Sequence, residues 1–201
     1  MNTFTLILEI LGTFAFAVSG IRLASHKRFD LFGAYVVGVA TAIGGGTIRD
    51  LMLNIPVFWM SNPIYLILSG LALAYGCIPS RYTMKQNNAI LVFDTLGLAL
   101  FTIVGLEKTV ALGFPWWTAI VMGTITGAAG GVIRDVLVGH VPLIFRKEIY
   151  AMACVIGGVA YFICLQLNFN NIISGLVGGV FVILVRYLAV RYRLSLPLLP
   201  K

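Results

Sequence analysis

One pattern appears twice in this chain. GGGTIRD at Gly44–Asp50 returns 85 residues later as AGGVIRD at Ala129–Asp135. At the same offset, without gaps, Leu11, Gly12, Phe16, Gly20, Ala34, Gly38, Thr41 and Tyr65 return as Leu96, Gly97, Phe101, Gly105, Ala119, Gly123, Thr126 and Tyr150. Glu9 is matched by Asp94. Duplicated units with glycine breaks and charges at equivalent positions are how many transport proteins set a pathway between two halves.

The duplicated unit belongs to a membrane. Of 201 residues, 60% are hydrophobic and 10% charged, and the mean hydropathy is +0.99, beyond what a soluble domain of this length sustains. The net charge of +7 raises nucleic acid as a partner. The basic residues cap apolar segments instead of forming an aromatic-laced stripe, so membrane topology accounts for them and no nucleic acid is expected. Cys77, Cys154 and Cys164 stand singly in apolar sequence without metal-ligand spacing and read as small core residues. The first apolar segment has small residues, Ala17 and Ser19, before Gly20, but no Lys or Arg precedes it and its counterpart is internal. It is expected to remain as a helix and not to be cleaved.

Apolar runs able to cross ~30 Å of hydrocarbon fall at about 4–21, 31–53, 62–79, 88–106, 115–139, 149–167 and 172–190, with Pro56, Pro63, Pro79, Pro115 and Pro142 at or near their ends. The expectation is an all-α integral membrane protein, a single transmembrane domain over 1–201. Repeat one spans about 4–79 and repeat two about 88–167, and an extra helix covers 172–190. Arg22, Lys27, Arg28, Arg81, Lys85, Arg146, Lys147, Arg186, Arg191, Arg193 and Lys201 fall on one side, against Lys108 on the other. That asymmetry places the N-terminus outside and the C-terminus in the cytoplasm. Three helices per repeat is an odd number, so the second copy is inverted, related to the first by a pseudo-twofold axis in the membrane plane.

Inversion fixes depth. Arg49 and Asp50 fall near the outer end of the second helix, and Arg134 and Asp135 near the inner end of the fifth. Glu9 and Asp94 fall at matching depths, so an acid, an Arg and an Asp gather at each mouth. At ~1.5 Å per residue Arg49 lies on the order of 6 Å inside the boundary, within reach of water for a long side chain. Neighbours on a helix point about 100° apart, so Asp50 is not expected to neutralise Arg49 across one face. A charge in apolar surroundings costs roughly 2.5–3.5 kcal/mol. Three readings stand: ion pairs within the bundle, direct lining of a pore, and interfacial anchoring. Gly44, Gly45 and Gly46, with Gly130 and Gly131, permit close packing or a short unwound stretch whose carbonyls face a cation. Thr41, Thr47 and Thr126 offer hydroxyl oxygens nearby.

The doubled GG-x-I-R-D signature, in a three plus three plus one helix plan with an outside N-terminus, resembles the bacterial members of the trimeric intracellular cation (TRIC) channel family, whose bacterial relatives are also labelled glycine transporters. The resemblance covers residues 4–190. It implies a homotrimer in the bacterial inner membrane, with a pore in every subunit lined by helices one, two, four and five and bent at Gly44–Gly46 and Gly130–Gly131. Such a pore conducts monovalent cations, K⁺ or Na⁺, and uses no cofactor. Ala129 departs from the second glycine triplet. The Lys-Glu-Val that animal members carry before the second break, associated with phosphoinositide lipid, is replaced by Ile120, Val121 and Met122.

A potassium channel is the first reading. Two acids against one Arg at each mouth give a formal balance of −1, which favours cations. The alternative is a small-solute transporter, for example of glycine, holding a zwitterion between the helix breaks. An enzyme is not expected: no His, Ser or Cys stands as a nucleophile with a base, and no metal spacing occurs. Gly12, Gly20, Gly97 and Gly105 offer small-residue faces for contact between subunits.

Overall fold

The computed structural model describes residues 3–78, 86–146 and 149–195, with the side chains of 86 and 87 outside that description. Arg81, Lys85, Lys147, Lys201 and Pro79 therefore lie outside the described residues. Among those described there are seven α-helices: α1 Thr3–His26, α2 Leu31–Met52, α3 Ile64–Cys77, α4 Gln86–Ala111, α5 Trp116–Leu137, α6 Ala151–Gln166 and α7 Asn171–Tyr192. A short 3₁₀ turn at Leu143–Phe145 precedes α6.

The breaks between helices are local chemistry. The Asp30 carboxylate accepts from the Gly33 amide at 2.7 Å to cap α2, and the Asn170 side-chain oxygen accepts from the Ile173 amide at 2.8 Å to cap α7. Left-handed residues stop helices at duplicated places. Arg28 (φ 59°) after α1 matches Gly113 (φ 82°) after α4, and Asn54 (φ 52°) after α2 matches Gly139 (φ 70°) after α5. The amides of Ile55 and His140 then turn back to the carbonyls of Asp50 and Asp135, satisfying carbonyls the helix end would otherwise orphan.

Helices α1, α2, α4, α5 and α7 are long and apolar enough to span a membrane, whereas α3 and α6 have 14 and 16 residues. These two are shorter than the runs at 62–79 and 149–167 suggested. The residues before them form loops that fold back onto Asp50 and Asp135. Conversely α1 is longer than expected and takes in Arg22, which lies buried over the Tyr75 ring. Arg186 is likewise buried in α7, over the Tyr150 ring. Neither belongs to a basic loop. Cys154 is buried, but Cys77 at the end of α3 is exposed, so it is no core residue.

Helices α1 and α4 form the centre, each packed on its own repeat's other helices and on one another, while α7 lies against α6 and α4. Two sets of contacts fix their directions. Glu9 of α1 meets Lys108 of α4, and Ser19 meets Ile90, so the pair runs antiparallel. A methyl group at Gly45 would collide with the Thr126 carbonyl, and one at Gly130 with the Thr41 carbonyl, so α2 and α5 are antiparallel too. Both relations require a twofold axis across the helices, and Phe16 and Phe101 stack on it at 5.5 Å and 11°. Gly97 and Gly12 give the two rings their space; Gly20 and Gly105 face Gly38 and Gly123. All four glycines therefore serve packing inside the subunit, not the subunit contacts expected of them.

The periphery is apolar. Ile67, Leu71, Val159, Ile163, Val180 and Leu184 are exposed on α3, α6 and α7, and Trp116, Trp117, Tyr187 and Tyr192 are exposed near helix ends, the pattern of a lipid-facing belt with interfacial aromatics. In the turn after α5, partial desolvation and the nearby Lys27 and Arg146 hold the His140 imidazole below its ordinary value.

Phe16→Ala and Phe101→Ala should each cost roughly 3–5 kcal/mol in unfolding from mixed detergent micelles. Trp116→Ala should change stability by less than about 0.5 kcal/mol. Equal effects at all three positions would refute a core centred on the stacked rings.

Candidate functional site

Each Arg-Asp pair ends a long helix, and each builds a buried charge cluster. In the first, the Arg49 Nε donates to Asp50 Oδ1 at 2.7 Å and its Nη2 reaches Glu9 Oε1 at 3.2 Å. The Tyr65 hydroxyl donates to Glu9 Oε2 at 3.1 Å, and the Phe58 amide donates to Asp50 Oδ2 at 2.9 Å. In the second, the Arg134 Nε donates to Asp135 Oδ1 at 2.9 Å and its Nη1 pairs with Asp94 Oδ1. Tyr150 donates to Asp94 Oδ1 at 3.3 Å, and the Leu143 amide donates to Asp135 Oδ2 at 3.0 Å. Glu9, Arg49, Asp50, Phe58 and Tyr65 each have their counterpart at the 85-residue offset.

The bond from each Arg to its own neighbour corrects the expectation drawn from the 100° turn. The guanidinium reaches sideways round the last helical turn, and the loop amide of Phe58 or Leu143 fixes the far carboxylate oxygen, so the aspartate is held where the arginine can meet it. All six charged groups are buried. A bare charge in hydrocarbon is costly, and pairing with further hydrogen bonds is what makes its burial tolerable. Of the three readings, the geometry is that of ion pairs within the bundle. No side chain among them reaches out to an interface as an anchor.

The two clusters differ in what the other repeat adds. Lys108 of α4 places its Nζ 2.6 Å from Glu9 Oε1, so Glu9 and Asp50 face two cations and the expected balance of −1 does not hold there. Ser19 of α1 accepts from Arg134 Nη1 at 2.7 Å, which brings no charge. Arg186 stands over the Tyr150 ring, 4.9 Å from its centroid, and donates to the Ile149 carbonyl at 3.3 Å. Tyr65 and Tyr150 were visible in the sequence as a recurring pair without a role. Lys108 and Ser19 break the repeat, and the Phe58 and Leu143 contacts use backbone amides, so no sequence signal marked them.

Between the clusters, α2 and α5 run unbroken as α-helix through Gly44–Gly46 and Gly130–Gly131. No unwound stretch releases carbonyls, contrary to that expectation. Backbone contact takes its place: Gly45 and Gly130 let the two helices touch, while Ile133 covers Gly44 and the Tyr150 hydroxyl covers Gly131. Gly46 lies under the Phe58 ring. Thr41 and Thr126, both buried, donate to the carbonyls of Val37 and Met122 at 2.6 Å, and Thr47 donates to Ile43 while accepting from the Trp59 indole. Among the described residues no group of His, Cys, Asp and Glu is arranged to hold a metal ion.

The family model described as glycine transporter matches residues 6–79 and 91–166, one block for each repeat. The chain belongs to this family of TRIC-type membrane proteins. A relative, the UPF0126 inner membrane protein YadS of Escherichia coli, is 40% identical over 94% of this chain and 93% of its own. The TRIC trimeric intracellular cation channel orthologue of Rhodobacter sphaeroides has the same fold with a TM-score of 0.87 and 33% identity, covering 96% of this chain and all of that one. A second prokaryotic TRIC channel gives a TM-score of 0.87 at 30% identity, over 98% of this chain and all of its own.

Removing Arg134 leaves Asp94 and Asp135 buried without a direct cation, whereas removing Arg49 leaves Lys108 on Glu9. Arg134→Gln should therefore lower stability by roughly 3–5 kcal/mol, and Arg49→Gln by clearly less, in thermal unfolding of the purified protein. Adding Asp94→Asn to Arg134→Gln should restore part of the loss. Two equal losses, or no recovery in the double variant, would contradict these pairings.

Proposed function

We propose that this chain is a monovalent cation channel of the bacterial inner membrane, assembling as a homotrimer with a pore in each subunit and conducting K⁺. The observation that carries the reading is the crossing of α2 and α5 on the pseudo-twofold axis. It is closed by backbone contact alone at Gly45–Thr126 and Gly130–Thr41, with a buried charge cluster toward each end. A path along this crossing needs only the two helices to part. The carbonyls of Thr41 and Thr126 lie at its middle, with their hydroxyls turned toward Gly20 of α1 and Gly105 of α4, and the second cluster, with two acids on one Arg, favours a cation at that end. The solved relatives named as cation channels support the same reading.

The runner-up is transport of a small zwitterion such as glycine, favoured by the description of the matching family model. Flux from purified protein in liposomes separates the two. Ohmic K⁺ current without saturation is expected; saturable glycine uptake without ionic conductance would replace the channel with the transporter. Light scattering of the purified protein tests the trimer.

The touching backbones make a sharper prediction. A methyl group at Gly45 or Gly130 strains the closed crossing, and overpacking costs about 1–3 kcal/mol. Gly45→Ala and Gly130→Ala should therefore raise resting K⁺ conductance by roughly 5-fold or more, since 1.4 kcal/mol is a factor of about 10 in an equilibrium. Reduced or unchanged current in assembled variants would remove this contact from the gate. For orientation, a cysteine at Arg28 should react with impermeant reagent only from the cytoplasmic side and one at Gly113 only from outside. Labelling of both from one face would overturn the assignment.

A further inference from the structure

Glu107 takes no part in either charge cluster. It sits in the last turns of α4, nine-tenths buried, where its Oε2 accepts from the Thr5 hydroxyl at 2.7 Å. Its Oε1 is buried and has no hydrogen-bond partner among the described residues. A buried carboxylate with an oxygen left over is expensive and calls for a partner. Beside it lies a cavity of about 160 Å³, lined by Thr5, Glu107, Lys108, Tyr161 and Asn171 together with Val110 and Ala111. At ~30 Å³ per water, the cavity holds roughly five water-sized bodies.

Its position is at one end of the bundle. Thr5 lies in the first turn of α1, Lys108 in the last turn of α4, and Asn171 opens α7. Lys108 also belongs to the Glu9 cluster, so cavity and cluster share one end. The charges there are uneven. Lys108 is committed to Glu9 at 2.6 Å, and Glu9 with Asp50 balances Arg49 with Lys108. Among the described residues Glu107 is the surplus negative charge. The C-terminal end of α4 adds a negative field and the N-terminal ends of α1 and α7 positive ones, so the helix ends together lean positive and the Glu107 carboxylate is the negative group that a cation would meet there. Nor is this a relic of the duplication: the position equivalent to Glu107 in the first repeat is Arg22, of opposite charge.

We propose that this cavity is a binding site for one monovalent cation, held by the Glu107 carboxylate with the Asn171 side chain and the Tyr161 hydroxyl as further oxygen donors. One surplus carboxylate matches a single positive charge. A divalent ion wants more charge and six to eight oxygens. A zwitterion needs a free cation for its own carboxylate, and Lys108 is already engaged. The proposal deepens the cation reading above by giving the conducted ion a resting site beside one mouth, and it rests on that reading for its role. Its test is equilibrium binding, which needs no conduction, so a silent channel and an absent site give different results.

The experiment is thermal unfolding of the purified full chain in detergent, titrated with KCl against choline chloride at matched ionic strength. A ligand bound to the folded state raises the midpoint with concentration. A saturable, K⁺-specific rise is expected for the wild type, with apparent affinity weakened by roughly 10-fold or more in Glu107→Gln, the loss expected on removing a charged partner. Asn171→Asp, at an exposed helix start where an acid is favourable, should tighten the response, and it decides the matter if Glu107→Gln does not fold. An absent K⁺ response, an equal response in Glu107→Gln, or an unaltered one in Asn171→Asp overturns the site. A Glu107-dependent rise with glycine but not with KCl overturns the cation and assigns the cavity to a zwitterion.

Discussion

Two guanidinium groups buried in a membrane protein dictate much of the rest. Arg49 and Arg134 are fully buried, and burial of a charge is tolerable only when opposite charge and hydrogen bonds compensate it. Each arginine therefore recruits the aspartate beside it, an acid from the first helix of its own repeat and, through that acid, a tyrosine from the third. One charge ties three helices together. The loop that follows the helix has to return so that an amide can hold the aspartate, and this return shortens α3 and α6. The helix ends, the loop paths and the depth of the central helices follow from satisfying one cation per repeat.

The same constraint keeps the charges off the lipid face and leaves the middle of the molecule to small residues. Where α2 crosses α5 there is no charged group, and the threonine hydroxyls are satisfied within their own helices; the close backbone approach at Gly45 and Gly130 supplies dispersion contact without bulk. The two ends of the crossing are held by ion networks and the centre by van der Waals contact.

Much of this was legible in the sequence. Seven helices, the inversion, and the gathering of Glu9, Arg49 and Asp50, and of Asp94, Arg134 and Asp135, all follow from periodic apolar runs, basic asymmetry and the 85-residue offset. What escaped has specific causes. The side-by-side Arg–Asp bond depends on a long side chain bending round a helix end, which a face diagram of a rigid helix does not contain. The glycine runs were ambiguous between bending and packing, because lacking a side chain permits both; the partner carbonyls of Thr126 and Thr41 resolve it, and they come from the other repeat. Lys108 and Ser19 were hidden for the opposite reason: reading by repetition overlooks whatever the repeats do not share.

Phe16 against Phe101, and Gly45 and Thr41 against Thr126 and Gly130, are contacts between equivalent positions of the two halves. In an assembly of two identical chains such contacts form an isologous interface, where any substitution is made twice and a patch must always complement itself. Joining the halves in one chain lifts that restriction. Ser19 faces Arg134 although its own counterpart is Val104, and Lys108 faces Glu9 although its counterpart is Leu23. A single polypeptide can thus keep the symmetric framework that holds it in the membrane while giving its two ends different electrical characters, so that the two faces need not treat a passing ion alike.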